Sequence, residues 1–416
     1  MSSFSATRSH GLERLAACVE TLRRDDLQVD NADDAVRTGE FIESELGPYL
    51  RHRLLVEDEV AHALGAALGW KAALTVIGHL ARRTYARGWA LQHPLAVRRF
   101  HSDAVSLGPE RLDDAALERA LASASAGRTG IACFDGWVGE ITQTGQLTGA
   151  GRRAFASIWI FTLKLPWQLG ARFFLKQLLD AELATVLVEW REVAGLQPGA
   201  APYLVTSQEI ERLVGQRLAR GSKVATALAH IEPEPTLPEE VVMPCAEGAA
   251  PGPILLIVTC DDLCPETWPV RREDVKGVLL VEPFDLYEYY GDGVHSFKLA
   301  GMADAMRRAR AYFECPAVSL ARDSINAAPN LARREDLVIR DWFDGIGSPR
   351  LTAIAPRAGG EDDLAAACQR VANGDRPPQL TLLHRPWDAM LAGPPIASED
   401  GFRAQLPARL AALGIG

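Results

Sequence analysis

For more than two hundred residues this chain offers its backbone little but helix. From residue 10 to about 225 the apolar side chains recur three and four apart. The pattern runs through Leu50–Leu68, Ala72–Leu91, Leu112–Ala124 and Arg152–Leu165. Pro166 interrupts it, and Trp167–Leu179 and Leu183–Ala194 resume it. No pair of alternating runs flanks a tight turn here, so no hairpin is expected. A sheet cannot be built from such a stretch.

The pattern changes once. The segment IEPEPTLPEEVVMPCAEGAAPGP is rich in Pro, Glu and Ala, the composition of an extended linker. Beyond it, PILLIVTC, VKGVLLVEP, LTAIAP and LTLLH are short apolar runs of strand length, alternating with helical stretches at Phe297–Phe313 and Asp362–Val371. Strands separated by helices imply a mostly parallel, Rossmann-like α/β sheet. The expected organisation is therefore an all-α domain at residues 1–230, a linker at 231–252 and an α/β domain at 253–416.

Composition narrows the function classes. The chain has 416 residues, and its net charge of −10 argues against a protein that is basic throughout. No apolar run reaches the ~18–20 residues of a membrane span. The first residues lack the apolar core of a secretory signal. Seven scattered cysteines suit reduced thiols, and the expected compartment is the cytoplasm. No histidine pairing suits a metal, and Cys260 and Cys264 have no second pair to join, so no metal is expected. The glycines of Gly145–Gly151 follow a helical stretch, which makes them a helix-to-helix turn instead of a phosphate loop.

Charge is placed unevenly. Residues 71–102 hold no acid but contain Lys71, Arg82, Arg83, Arg87, Arg98 and Arg99. Residues 141–179 again hold none, with Arg152, Arg153, Lys164, Arg172 and Lys176. Such helices suit a cofactor pyrophosphate or a nucleic-acid backbone, or else present a solvated basic face. Asp180, just after the second stretch, is placed to pair with an arginine of the preceding helix. Glu189 reads as helix surface.

The segment FDGWVGEITQTGQLTGAGRRAFASIWIFTLKLPWQLGARFFLKQLLDAELATVLVEWREVAGLQPGAAPYL, residues 134–203, resembles the core of the FAD-binding domain of the photolyase/cryptochrome family. Thr129, Gly130, Asp135, Glu140, Thr144 and Gly145 match that family's opening pattern, and LGPYLRHRLL and RRTYARGW resemble segments upstream. The likeness spans about residues 40–215. It implies FAD as cofactor, with Arg152 and Asp180 as the ion pair beside the flavin ring and Arg83 near the cofactor. It also implies Ser44 in the phosphate-binding loop, and Glu182 and Val186 at flavin-facing positions. Trp190 and Trp167 match the two inner tryptophans of the electron-transfer chain.

The departures bear on activity. Glu43 and Gly47 replace a Thr and a Ser of the phosphate loop, and Val186 replaces the Asn facing the flavin. Thr148-Gly149 stand for a His-Asn pair, and Ala124 for the outermost tryptophan. Three positions that touch the lesion in the family are His79, Arg82 and Glu192, for a Glu and two Trp. Repair needs a stack on the flipped lesion and a donor to its carbonyls, which these residues do not supply in the family's manner.

The α/β region also follows the helical domain, where family members place it first. Asp261 and Asp262 end a predicted strand, where such sheets put ligand sites, though an ordinary loop is the simpler reading. The expected function is thus a photolyase/cryptochrome-like light or redox sensor that binds FAD. The alternatives are an active deoxyribodipyrimidine photolyase with altered lesion contacts, with DNA as partner, and a flavin-free interaction protein.

Overall fold

The computed structural model describes residues 4–24, 32–107, 114–234, 248–281, 291–320, 341–347, 350–356, 380–391 and 398–415. Most of the linker and the Asp362–Val371 stretch lie outside the described residues.

Eleven helices precede the sheet among the described residues: α1 (Arg8–Arg23), α2 (Ala32–Arg51), α3 (Glu57–Leu68), α4 (Trp70–Gln92), α5 (Pro94–Ser106), α6 (Ala115–Ser125), α7 (Ala132–Thr144), α8 (Gly149–Ser157), α9 (Trp167–Gln177), α10 (Leu183–Ala194) and α11 (Ser207–Ala219). The expected single helix through Leu50–Leu68 is broken. Leu54 and Leu55 both donate to the Tyr49 carbonyl and close α2, and Arg53 turns left-handed with φ 47°. A hydrophobic period alone does not record such a stop, because Leu54, Leu55 and Val56 are all buried on either side of it. The expected helix at Arg152–Leu165 is likewise interrupted by a π turn at Ile158–Thr162. That turn aims the Trp159 indole at the Pro166 carbonyl, 2.9 Å away.

The sheet is fully parallel, ordered β3-β2-β1-β4-β5, with β1 (Ile254–Thr259), β2 (Val275–Val281), β3 (Ala317–Leu320), β4 (Arg350–Ile354) and β5 (Leu380–Leu383). Four of these strands were legible as apolar runs. β3 was not, since four residues after Pro316 show no period. β1 is central, pairing β2 and β4, and is buried on both faces as parallel strands are.

Its two faces serve different layers. Leu255 and Ile257 pack with Leu279, Phe343 and Leu351 in a small cluster. Ile254, Leu256 and Val258 join the main core, which runs without interruption into the helical part. Tyr49 meets Phe297 of the long helix Asp292–Phe313 at 6.3 Å, and the Leu263 amide donates to the His52 carbonyl at 2.9 Å. Helices and sheet thus share one core.

Within the helices, Trp190 of α10 stands against the backbone of α9 at Gly170. A Cβ on Gly170 would lie 2.1 Å from Trp190 Cη2 and 2.9 Å from Trp159 Nε1. Gly170→Ala should therefore cost at least the ~1–3 kcal/mol of an overpacked core, read as a lower denaturant midpoint in equilibrium unfolding.

Candidate functional site

The site is assembled by turns whose residues the sequence advertises. Asp135, in the first turn of α7, accepts from the Thr129 amide and hydroxyl and from the Gly130 amide at 2.7–2.9 Å. At the other end α7 closes on Gly145, left-handed at φ 72°, where a Cβ would strike Leu179 at 2.6 Å. The Leu179 amide donates to the Gly145 carbonyl. The TG–D–TG pattern is thus a bracket that holds Asp180 against the start of α8.

Arg152 and Asp180 meet there. Arg152 Nη2 lies 2.7 Å from Asp180 Oδ1, and its Nε donates to the Leu147 carbonyl at 2.8 Å. Arg83 Nη2 approaches Asp180 Oδ2 at 2.5 Å, while Nη1 donates to the Asp180 carbonyl. Glu43 adds a third anchor, 3.2 Å from Arg83 Nη2. Burial would raise the Asp180 carboxyl, but Arg152 and Arg83 more than offset it and hold it below its usual value. Both arginines are already matched from within the chain.

Beside them opens a cleft of about 110 Å³, lined by Glu40, Glu43, Ser44, Glu140, Thr148 and Asp180 among others. Ser44 lines it, but its hydroxyl is engaged with the Phe41 carbonyl at 2.8 Å. Residues 43–47, expected as a phosphate loop, lie inside α2 instead. Their amides are used by the helix, so they are not available to an anion. Burial raises the Glu40 and Glu140 carboxyls, and Glu43 adds to the effect at Glu40.

Of the basic side chains in the acid-free stretches, Lys71, Arg98, Arg153, Lys164 and Lys176 are exposed, whereas the inner arginines meet carboxylates of the chain itself. Arg87 pairs with Glu182 at 2.9 Å and with Glu57 at 2.5 Å. Arg53 binds Glu57, Asp262 and Asp388, and Arg385 binds Asp262 at 2.5 Å. All seven of these side chains are buried. Arg83 and Arg87, one turn apart on α4, thus head two buried branches, one to Asp180 and Arg152 and the other across to Arg385 of the sheet. Asp261 joins Arg51 at 2.6 Å, so the Asp261–Asp262 turn is a docking element and not an ordinary loop. Glu182 faces Arg87, away from the cleft lining, and Val186 is buried in the main core.

A second cluster lies on the α4–α10 side. Arg82 meets Glu192 at 2.6 Å, Glu189 at 3.6 Å and Glu399 of the C-terminal helix (Glu399–Ala412) at 3.2 Å. Glu189, expected on the surface, turns inward because Arg82 and Arg152 draw it. Burial raises both the Glu189 and Glu192 carboxyls, and the arginines only partly offset this. Trp190 is buried edge-on to Trp159 at 6.1 Å. Trp167 stacks on Phe100 at 5.7 Å. The tryptophan beside Trp190 in this aromatic cluster is thus Trp159, with Phe174 nearer still at 5.2 Å. Among the described residues no cluster of side chains suits a metal, and no helix is long and apolar enough to cross a membrane.

Comparison with known proteins bears on this geometry. Residues 76–216 match the family model described as the FAD binding domain of DNA photolyase. Cryptochrome-1 of Arabidopsis thaliana is 28% identical over 121 residues, covering 29% of this chain and 17% of that protein. The deoxyribodipyrimidine photo-lyase of Escherichia coli (strain K12) is 28% identical over 152 residues, covering 36% of this chain and 30% of that enzyme. This chain therefore spans less than a third of either relative. A class III photolyase structure from Agrobacterium tumefaciens aligns with 51% of this chain and 44% of its own, at 18% identity and a TM-score of 0.37.

The residues present can be tested against FAD. The Arg152–Asp180 pair suits the ring end of a flavin. The rest does not: clefts for ligands of drug size run to roughly 300–1,000 Å³. This one is about 110 Å³, and Glu40, Glu43 and Glu140 face it. In this arrangement the cleft does not fit a whole FAD.

Two substitutions separate the charges. Asp180→Asn should destabilise by about 3–5 kcal/mol, because it strands Arg83 and Arg152 in a buried site. Glu189→Gln should stabilise by on the order of 1 kcal/mol at pH 7, since Glu189 Oε2 is buried without a partner. The sign follows from linkage. A raised carboxyl favours the folded state below its usual value of 4.5, and that contribution is lost as pH rises through the folded value. The advantage of Glu189→Gln should therefore shrink as unfolding is measured at pH values falling from 7 toward 4.5.

Proposed function

As a diverged member of the photolyase/cryptochrome family, this chain, we propose, is a photolyase-like protein that does not repair pyrimidine dimers and takes FAD only weakly. Its role is sensing or interaction, not lesion chemistry. The observation that carries this reading is the Arg82 cluster. The positions that the family resemblance assigns to lesion contact, Arg82 and Glu192, are bonded to each other, and Arg82 is bonded to Glu399 as well. A base flipped onto that face would meet an ion cluster where repair needs an aromatic stack.

The flavin-binding sensor is the second reading, and one observation favours it. Arg152 and Asp180 stand together at the cleft edge, the pair the resemblance implies beside the flavin ring. If flavin is held, these two residues would orient it and Arg83 would support Asp180 from behind. The bound group would supply light absorption and electron exchange. What limits affinity is Glu43, whose carboxylate already occupies Arg83. A carboxylate about 4 Å from another anion costs on the order of 1 kcal/mol even in water.

Two measurements test the proposal. Purified protein with excess FAD under blue light should leave dimer-containing DNA unrepaired, and turnover at a rate typical of photolyases overturns the reading. Titration with FAD, followed by the visible flavin band, should show weak binding that improves on the order of tenfold in Glu43→Thr. Unchanged affinity in that variant would remove Glu43 from the account.

A further inference from the structure

Three stretches of the helical part carry no acidic residue: 119–134, 141–179 and 212–231. The fold brings their turns together. The Ala132 amide, at the start of α7, donates to the Gly221 carbonyl at 3.2 Å, and the Cys133 amide donates to the Ser222 hydroxyl at 2.9 Å. The Ala225 amide donates at 3.0 Å to the hydroxyl of Thr162, the last residue of the π turn. Arg128, Lys164, Arg220 and Lys223 stand beside these junctions, and all four are exposed.

Their charge is left unmatched. Among the described residues no carboxylate lies within ion-pair distance of any of the four, whereas Arg83, Arg87 and Arg152 are each held by a carboxylate of the chain. Asp135, the acid nearest Arg128 in sequence, is turned onto the Thr129 and Gly130 amides. In a protein of net charge −10 such a patch is segregated from the rest of the charge. Lys164 is also held left-handed, at φ 54°, where glycine would sit at lower cost. A lysine kept in that conformation on an exposed turn argues for a use of its ammonium group.

A second observation is apolar. The segment 213–228 holds three of the five large apolar side chains that stand exposed among the described residues. α11 breaks at Gly215, with φ 75° and ψ 164°, and beyond the break Leu218 and Leu228 remain outside the core. Cations for phosphates and exposed leucines for an apolar layer are the two contacts of a lipid interface. Nucleic acid would call for aromatic stacking platforms, and residues 212–231 contain no aromatic. The cations also sit on three turns instead of along one helix face. A folded partner would need a matching hollow for each, whereas a layer of headgroups conforms to them.

We propose that this face docks on an anionic membrane surface, with Arg128, Lys164, Arg220 and Lys223 over the headgroup phosphates and Leu218 and Leu228 at the acyl boundary. The chain lies on the bilayer and does not cross it.

Flotation of the full chain with lipid vesicles tests this. Phosphatidylcholine vesicles with about one third phosphatidylserine should carry the protein, and pure phosphatidylcholine vesicles should not. Lys164→Gln and Lys223→Gln should each weaken binding about fivefold, and Leu228→Ser should weaken it severalfold. Lys71→Gln, exposed on α4, should leave it unchanged. All of these side chains are exposed, so the unfolding midpoints of the variants should not move. Equal binding to neutral vesicles, or full binding by the variant carrying both Lys164→Gln and Lys223→Gln, overturns the proposal. Unaltered binding by Leu228→Ser, or tighter binding to duplex DNA or polyglutamate than to the anionic vesicles at one ionic strength, replaces the lipid with a soluble polyanion and overturns it as well.

Discussion

Arg53 is the residue on which the arrangement of helices and sheet depends. It bonds Glu57 of its own segment, Asp262 after β1 and Asp388 after β5, all out of water. Desolvating so many charges is expensive, and the attraction between them offsets that cost only when every partner is in place. A buried network of this kind adds little stability over an apolar core of the same volume. What it does is penalise every other docking of the sheet, because a shifted sheet would leave arginines and carboxylates buried without partners. Apolar contact alone, as between Tyr49 and Phe297, tolerates sliding. The network does not.

The same logic explains the cleft. A domain of this kind could use its arginines to hold an external anion, but here the anions belong to the chain. Asp180 and Glu43 take Arg83, Asp180 takes Arg152, and Glu57 and Glu182 take Arg87. The site keeps its scaffold, and its binding capacity has been turned inward. The family likeness lies in the turns that shape the site, and the divergence lies in what neutralises its arginines.

That division also sets what the sequence could disclose. The Thr129–Asp135 turn is local, six positions between partners, so its residues announce themselves, whereas the hydrogen bond from Leu179 to Gly145 reaches far along the chain. The meeting of Arg152 and Asp180 was legible for a related reason, since the acid-free stretch between them ends on that aspartate. The fate of Arg82, Arg83 and Arg87 was not legible. Their partners stand tens to hundreds of positions away, and a run without acids looks alike whether it faces solvent, a ligand or distant carboxylates. The phosphate loop was not legible as helix because Ser44 keeps the hydroxyl expected there while the backbone runs on through α2. Strands β1, β2, β4 and β5 were plain as apolar runs, whereas β3 was too short to carry a pattern.

The separation between Arg53 and Asp388, 335 positions, has a further consequence for how the protein is made. Synthesis proceeds at about 5–20 residues per second, so on the order of tens of seconds pass between the emergence of the two. During that interval the helices can form with Arg53 on Glu57 alone, until Asp262 and then Asp388 follow. Residues 386–391 therefore complete an ion network that Arg53 and Glu57 begin.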